Sequence, residues 1–181
     1  MESSRPGDFL AQDTFYLGRL KGIGKIYLQA VVDTYGSFGF GFLHTGKLAE
    51  CAVAILHNDV LPQYKEWGIK VSAVLTDNGT EYRGKDTHPY ELYLALNDIE
   101  HRRTKIGRPQ TNGFVERFNR TVLDEFFRKA FREKMYESVD SLQADLDKWL
   151  IHYNYERPHR GYRNMGKRPF DTITQFVRHE G

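Results

Sequence analysis

The stretch TKIGRPQTNGFVERFNRT, residues 104–121, decides how the rest of this 181-residue chain is read. It opens as a basic loop punctuated by Gly107, Pro109 and Gly113, then turns into a helix. From Phe114 the apolar residues return every fourth position, at Phe118, Val122, Phe126 and Ala130, the mark of one buried helical face. Glu116 falls off that stripe beside Arg117 and Arg120, so its carboxylate is free to point toward whatever the basic loop holds. The helix is expected to run to about Phe131.

Upstream, residues 1–8 are polar, contain Pro6 and Gly7, and read as a flexible lead-in. Phe9 to Leu17 reads as a strand with Phe9, Ala11, Asp13, Phe15 and Leu17 on one face, which leaves Asp13 as a carboxylate among apolar neighbours. Ile26 to Val32 is a second strand, Asp33 to Gly36 a hairpin turn, and Phe38 to Phe42 a third strand that alternates ring and glycine. The glycine face of that third strand implies close packing. Thr45 to Trp67 then reads as a helix that Pro62 should kink or break near Leu61, ended by Gly68. Val71 to Leu75 is a short strand arriving from a helix, hence parallel to the meander, and it delivers Asp77 at its carboxyl end. Ligand sites of open α/β sheets gather at such strand ends.

Downstream of Asp77 come a helix over Pro89 to Asn97 and a fifth strand over Ile99 to Thr104. After the Glu116 helix, Ser138 caps a further helix with its stripe at Val139, Leu142, Leu146, Trp149, Leu150 and Tyr153. Residues 157–181 read as a basic, turn-rich tail packed on or extending from a core over residues 9–156. The order β-β-β-α-β-α-β-α-α predicts an α/β fold, a mixed five-stranded sheet of three antiparallel and two parallel strands flanked by helices. A single cysteine, Cys51, excludes an internal disulfide and suits a reducing compartment. No apolar run is long enough to span a bilayer, so the expectation is a cytoplasmic protein. The net charge of +2 is too mild to identify a nucleic-acid binder; the clustering of cations at 101–120 and 157–168 is the stronger sign.

A fourth strand beside the first makes Asp13 and Asp77 neighbours, and the following helix can carry Glu116 across to them. Three gathered carboxylates repel unless a cation neutralises them, and Mg²⁺ (or Mn²⁺) is the natural hard-ion occupant. Two such ions stabilise both oxygens of an in-line displacement at phosphorus. The chain has no HxxxH or cysteine cluster for zinc, no GxxxxGK[ST] phosphate loop and no GxSxG nucleophile turn.

Asp13-Thr14, the run VVDTY at 31–35, LTDNGTEY at 75–82, GRPQTNGFVERFNRT at 107–121 and YNxxRPH at 153–159 together resemble an integrase catalytic core. The resemblance is to the DDE superfamily, bacterial insertion-sequence transposases first and retroviral integrases more distantly. It implies a ribonuclease-H-like fold and a metal triad of Asp13, Asp77 and Glu116. The thirty-eight residues between Asp77 and Glu116 are close to the family's interval. It further implies two Mg²⁺ ions in the active complex, DNA as partner (element ends and target), and a homo-oligomer, a dimer or higher. The expected chemistry is DNA end cleavage followed by strand transfer. A metal-dependent nuclease of the same fold and a catalytically silent DNA-binding remnant are the alternatives. Relatives carry Lys or Arg where this chain has Leu123, so Arg120 or Arg117 is expected to take over that DNA contact. So few residues precede Asp13 that the chain is expected to be a fragment or shortened copy lacking a helix-turn-helix module.

Lys105, Arg108, Arg117, Asn119 and Arg120 are the expected DNA contacts, cations and an amide beside the metal site, with Asn119 equally open to a hydrogen bond at the helix start. For Glu116 the plain structural alternative is an i,i+4 ion pair with Arg120. Asp33 is expected as a turn residue rather than a ligand, and Glu81 and Asp86 as solvated. Arg157 and His159 are either DNA contacts or a clamp between the last helix and the sheet.

Overall fold

A computed structural model describes residues 3–85, 87–104, 112–161 and 163–180. Its sheet has five strands in the order β3-β2-β1-β4-β5: β1 Phe9–Leu20, β2 Gly24–Asp33, β3 Gly39–His44, β4 Ala73–Thr76 and β5 Glu100–Arg103. β1 pairs antiparallel with β2 and parallel with β4, β2 pairs antiparallel with β3, and β4 parallel with β5. This is the mixed sheet expected from the sequence, with β1 at its centre.

Helices cover both faces. On one, Ala11, Leu28, Ala30 and Leu43 pack against α4 (Gly113–Val122), α5 (Arg128–Glu133) and α6 (Val139–Tyr155), through Val115, Phe118, Ala130, Leu142 and Leu146. On the other, Leu10, Val31 and Val74 meet α1 (Ala49–Ile55), α2 (Leu61–Trp67) and α3 (Pro89–Leu96), through Ala52, Ile55, Tyr64, Tyr90 and Leu94. Alternation along β1 therefore sends Ala11 and Asp13 toward α4, and Leu10 and Gln12 toward α1. No described helix is long and apolar enough to cross a membrane.

The helix expected to be kinked or broken near Leu61 is interrupted by a π turn over Leu56–Val60, after which α2 begins at Leu61 with Pro62 in its first turn. Four local expectations are corrected. A second π turn, Leu123–Phe127, joins α4 to α5, and the buried face of α4 begins at Val115, not Phe114. The segment read as a lead-in is pinned: Gly7 N–H donates to Asp33 Oδ2 at 2.8 Å, Arg5 reaches the Lys70 carbonyl at 2.8 Å, and Ser3 bonds Thr34. The C-terminal tail contains α7 (Pro169–Glu180), which buries Thr172 and Ile173 against the α1–α3 layer. Glu81 is buried, as detailed below.

Asp33 is a turn residue as expected, and a heavily used one. Fully buried, it accepts from Gly7 N–H, from Tyr35 N–H at 2.8 Å and from Tyr64 Oη–H at 2.5 Å, closing the β2–β3 turn. Burial pushes its pKa up, against the pull of those bonds.

The glycine face of β3 is a close approach. A Cβ on Gly39 would stand 2.3 Å from Cε2 of Phe118, which is held in the core of the α4 layer. Gly39→Ala is therefore expected to destabilise the fold by about 1–3 kcal/mol, the usual cost of overpacking, seen as a lower urea midpoint at unchanged m-value. A midpoint equal to that of the parent chain would show that the ring yields freely.

Candidate active site

Register brings the first two carboxylates together. In the parallel β1–β4 ladder Phe9 faces Ala73 and Ala11 faces Leu75. Continued two residues past Ala11 and Leu75, the same offset sets Asp13 abreast of Asp77. Their charges interact: burial, then the charge of Asp77, then more weakly that of Glu81, raise the Asp13 pKa from 3.8 to about 6. Hydrogen bonds from the Thr14 backbone and from Asn119 pull the other way and lose.

Asp77 is fixed by its own turn. Its Oδ1 accepts from Gly79 N–H at 2.8 Å, while Asn78 Nδ2 donates to the Thr104 carbonyl at 3.0 Å and ties the turn to the end of β5. Asp13 is fixed from two sides. Asn119 Nδ2, on α4, donates to its Oδ2 at 2.9 Å. Behind it, Thr14 Oγ1 bonds Tyr82 Oη at 2.9 Å and accepts from Gln29 Nε2 at 2.6 Å. Gln12 donates to Gln29 and to the Ala52 carbonyl, and Tyr90 Oη–H donates to Gln12 Oε1 at 2.7 Å. This polar lattice is satisfied internally, so it holds β1 and β2 in place without an unpaired group.

Glu116 lies in the first turn of α4, exposed, and lines an open cavity of about 450 Å³ together with Asp13, Asn119, Arg120 and Leu123. Among the described residues it makes no ion pair, so the i,i+4 bond to Arg120 is absent. Nor do any three His, Cys, Asp or Glu side chains among the described residues stand close enough together to hold a metal by themselves. The coupled pair is Asp13 with Asp77; Glu116 shares the cavity with Asp13.

The expected DNA contacts separate. Arg120 lines the carboxylate cavity. Arg117 does not: its guanidinium lies over the Phe114 ring at 4.8 Å and lines a different cavity. Asn119 is only 4% exposed, and the donor that was expected at DNA is committed to Asp13. Lys105 and Arg108, with Gly107 and Asp86, lie outside the described residues. Arg157 does not reach the sheet: it grips Glu125 of the second π turn at 2.8 and 2.9 Å, joining the end of α6 to the α4–α5 layer. His159 packs edge-on against Tyr153 with ring centroids 4.6 Å apart, and burial drives its pKa down to about 4.

Sequence reasoning missed Glu81. It is 2% exposed, paired with Lys47 Nζ at 3.3 Å, and its oxygens make no hydrogen bond. Gly79 leaves it room, since a Cβ there would fall 1.8 Å from Glu81 Oε1. The signal available was its place four residues after Asp77, in a turn that folds back over the site.

Residues 97–166 match the family described as "Integrase core domain", a stretch that includes Glu116 but neither Asp13 nor Asp77. The chain is 28% identical over 146 residues to a "Putative integrase ORF3" of Spiroplasma virus SpV1-C74, covering 75% of this chain and 39% of that one. It is 31% identical over 111 residues to "Putative transposase InsD for insertion element IS2E" of Escherichia coli (strain K12), covering 59% of this chain and 44% of the relative. The chain thus spans less than half the length of these curated relatives. Among solved structures, the HTLV-2 integrase catalytic core domain in complex with magnesium superposes with a TM-score of 0.66 at 16% identity, over 94% of this chain and 98% of the other. A chain of the simian T-cell lymphotropic virus intasome in complex with PP2A regulatory subunit B56 gamma gives 0.72 at 18%, over 96% and 56%. The fold is therefore ribonuclease-H-like, the class of the integrase cores. In sequence the chain is similar to integrases and insertion-sequence transposases, as its motifs led us to expect.

The raised Asp13 pKa has a stability consequence. Above pH 6 the folded protein carries a carboxylate it disfavours; as pH falls through 6 toward 3.8 that penalty is relieved, so this group makes the metal-free fold more stable at lower pH. Asp13→Asn is expected to raise stability of the metal-free protein at pH 7.5 by about 1–2 kcal/mol, a figure discounted for partial solvent screening. Denaturant titration in EDTA reads it. A lower midpoint would mean that the ionised carboxylate holds the fold together.

Proposed function

We propose that this chain is the catalytic core of a DDE transposase or integrase, with Asp13, Asp77 and Glu116 as its metal-binding carboxylates. The observation that carries the reading is the half-buried Asp13, which lines one cavity with Glu116 and whose pKa is raised by burial and by the charge of Asp77. An all-oxygen donor set with uncompensated negative charge fits Mg²⁺ or Mn²⁺. Two such ions, when bound, neutralise phosphodiester oxygens and lower the pKa of the attacking water.

The protein's own part is positioning. Asn119 and the Thr14 lattice keep Asp13 aimed into the cavity, and the Gly79 bond keeps Asp77 beside it. Arg120, on the wall shared by Asp13 and Glu116, holds a DNA phosphate in the role that Leu123 cannot fill. From the sequence alone, Lys105 and Arg108 are further phosphate contacts. Water attacks the phosphodiester at the element's end. Its oxygen bonds to phosphorus as the P–O3′ bond breaks, leaving a 5′-phosphate on one fragment and a 3′-OH on the other, the leaving oxygen taking up the proton the water gives up. That hydroxyl then attacks target DNA, forming one phosphodiester as it breaks another, with no covalent enzyme intermediate. Juxtaposing element ends with target calls for a homo-oligomer.

Asp77→Asn and Glu116→Gln are each expected to lower Mg²⁺-dependent end cleavage and strand transfer at least about a hundredfold, with the circular dichroism spectrum and DNA affinity retained. Gel assays on oligonucleotide substrates measure both reactions. Joining within about tenfold of the parent chain in either variant would defeat the assignment; cleavage without joining in the parent would favour a nuclease of this fold.

A further inference from the structure

The second cavity on α4 belongs to no part of the carboxylate site. It holds about 350 Å³ and is walled by Arg117, Arg157, Arg160 and Arg163 with the rings of Tyr35 and Phe114. No Asp or Glu lines it among the described residues. Two of the four arginines have structural work: Arg157 grips Glu125, and Arg163 donates to the Ser3 carbonyl at 2.5 Å and lies over Tyr35 at 4.5 Å. The other two do not. Arg117 is stacked on Phe114, and neither Arg117 nor the exposed Arg160 makes an ion pair among the described residues.

A concave wall of one charge sign focuses potential and draws an anion. Stacking a guanidinium on a ring leaves its edge donors free for the bidentate geometry that phosphate offers. The volume is near the lower limit for a small-ligand pocket, enough for one nucleotide and too small for a duplex. The aromatic walls supply a face on which a base can lie. Position selects the ligand further. Glu116 and Arg117 are consecutive on a helix of 3.6 residues per turn, so the two cavities open on adjacent sides of the first turn of α4.

We propose that this arginine-lined cavity is a second DNA subsite, one that takes an unpaired nucleotide of the strand continuing past the carboxylates, its phosphate on Arg117 and Arg160. The proposal rests on the reading of DNA as substrate, but its test needs no catalysis. Fluorescence anisotropy in EDTA compares a labelled blunt hairpin with the same hairpin carrying a five-nucleotide single-stranded overhang. The parent chain is expected to bind the overhang form about tenfold more tightly. Arg117→Glu and Arg160→Glu should each bring the two forms to within about twofold, by losing the overhang contact. Lys70→Glu, at the opposite end of β4 from Asp77, is the charge control and should keep the preference. Equal binding of both hairpins by the parent, or a preference that survives both arginine changes, overturns the subsite. Displacement of the overhang hairpin by poly-glutamate as effectively as by oligothymidylate of equal charge overturns it too, in favour of an acidic protein segment. An overhang preference in a chain that neither cuts nor joins DNA would leave the subsite standing and the transposase reading fallen.

Discussion

The parallel pairing of β1 with β4 is the constraint on which the rest depends. Only three residue pairs form that ladder, Phe9 with Ala73 to Ala11 with Leu75, yet they set the height of Asp77 relative to Asp13. A slip of one residue would carry Asp77 to the other face of the sheet, since side chains alternate. The register is locked from both sides. Ser72 N–H donates to the Gly7 carbonyl below the ladder, and Thr34 N–H donates to the Phe9 carbonyl across it. Arg5 and Asp33 hold the same corner, so the pinned N-terminal segment serves the site at a distance.

Gathering carboxylates at a strand end works against folding, and the surroundings offset that cost unequally. Glu81 has Lys47 to balance it. Asp13 has only Asn119 and a backbone bond, and its pKa climbs accordingly. The Gln12–Gln29–Thr14–Tyr82–Tyr90 lattice does not neutralise anything; it makes the strand beneath the charge rigid. The strand beneath is thereby fixed in place while the charge of Asp13 stays poorly compensated.

Much of this was legible in the sequence because it depends on period and punctuation. Alternation along β1 exposed Asp13 as misplaced, the Asp33 to Gly36 turn closed the β2–β3 hairpin, and Ser138 marked the start of α6, where its Oγ accepts from Ser141 N–H. What escaped reading depends on tertiary choice. A repeat of four fits Phe114, Phe118 and Val122 as well as the true face does, and the π turn at Leu123–Phe127 shifts the phase so that Phe126 and Phe127 are both buried. The π turn before Pro62 is invisible to a rule that asks only whether proline fits an α-helix. α7 was hidden by the basic run before it, although Phe170, Ile173 and Val177 carry helical spacing. Glu81 looked solvated because a turn glutamate usually is; here the chain doubles back and closes it in.

Arg117 follows Glu116 directly yet stands apart from the carboxylate cavity, because neighbouring residues on a helix point in different directions. α4 has three distinct sides. Glu116, Asn119, Arg120 and Leu123 face the carboxylate cavity, Val115, Phe118 and Val122 anchor the helix in the core, and Phe114, Arg117 and Thr121 face the arginine cavity. The core side fixes the rotation of the helix about its axis: Phe118 abuts Gly39 so closely that no other side chain fits between them. Packing between a ring and a bare strand therefore decides which cations stand beside the acidic pair and which are turned away from it. The same contact that closes the hydrophobic core sets the polarity of both grooves above it.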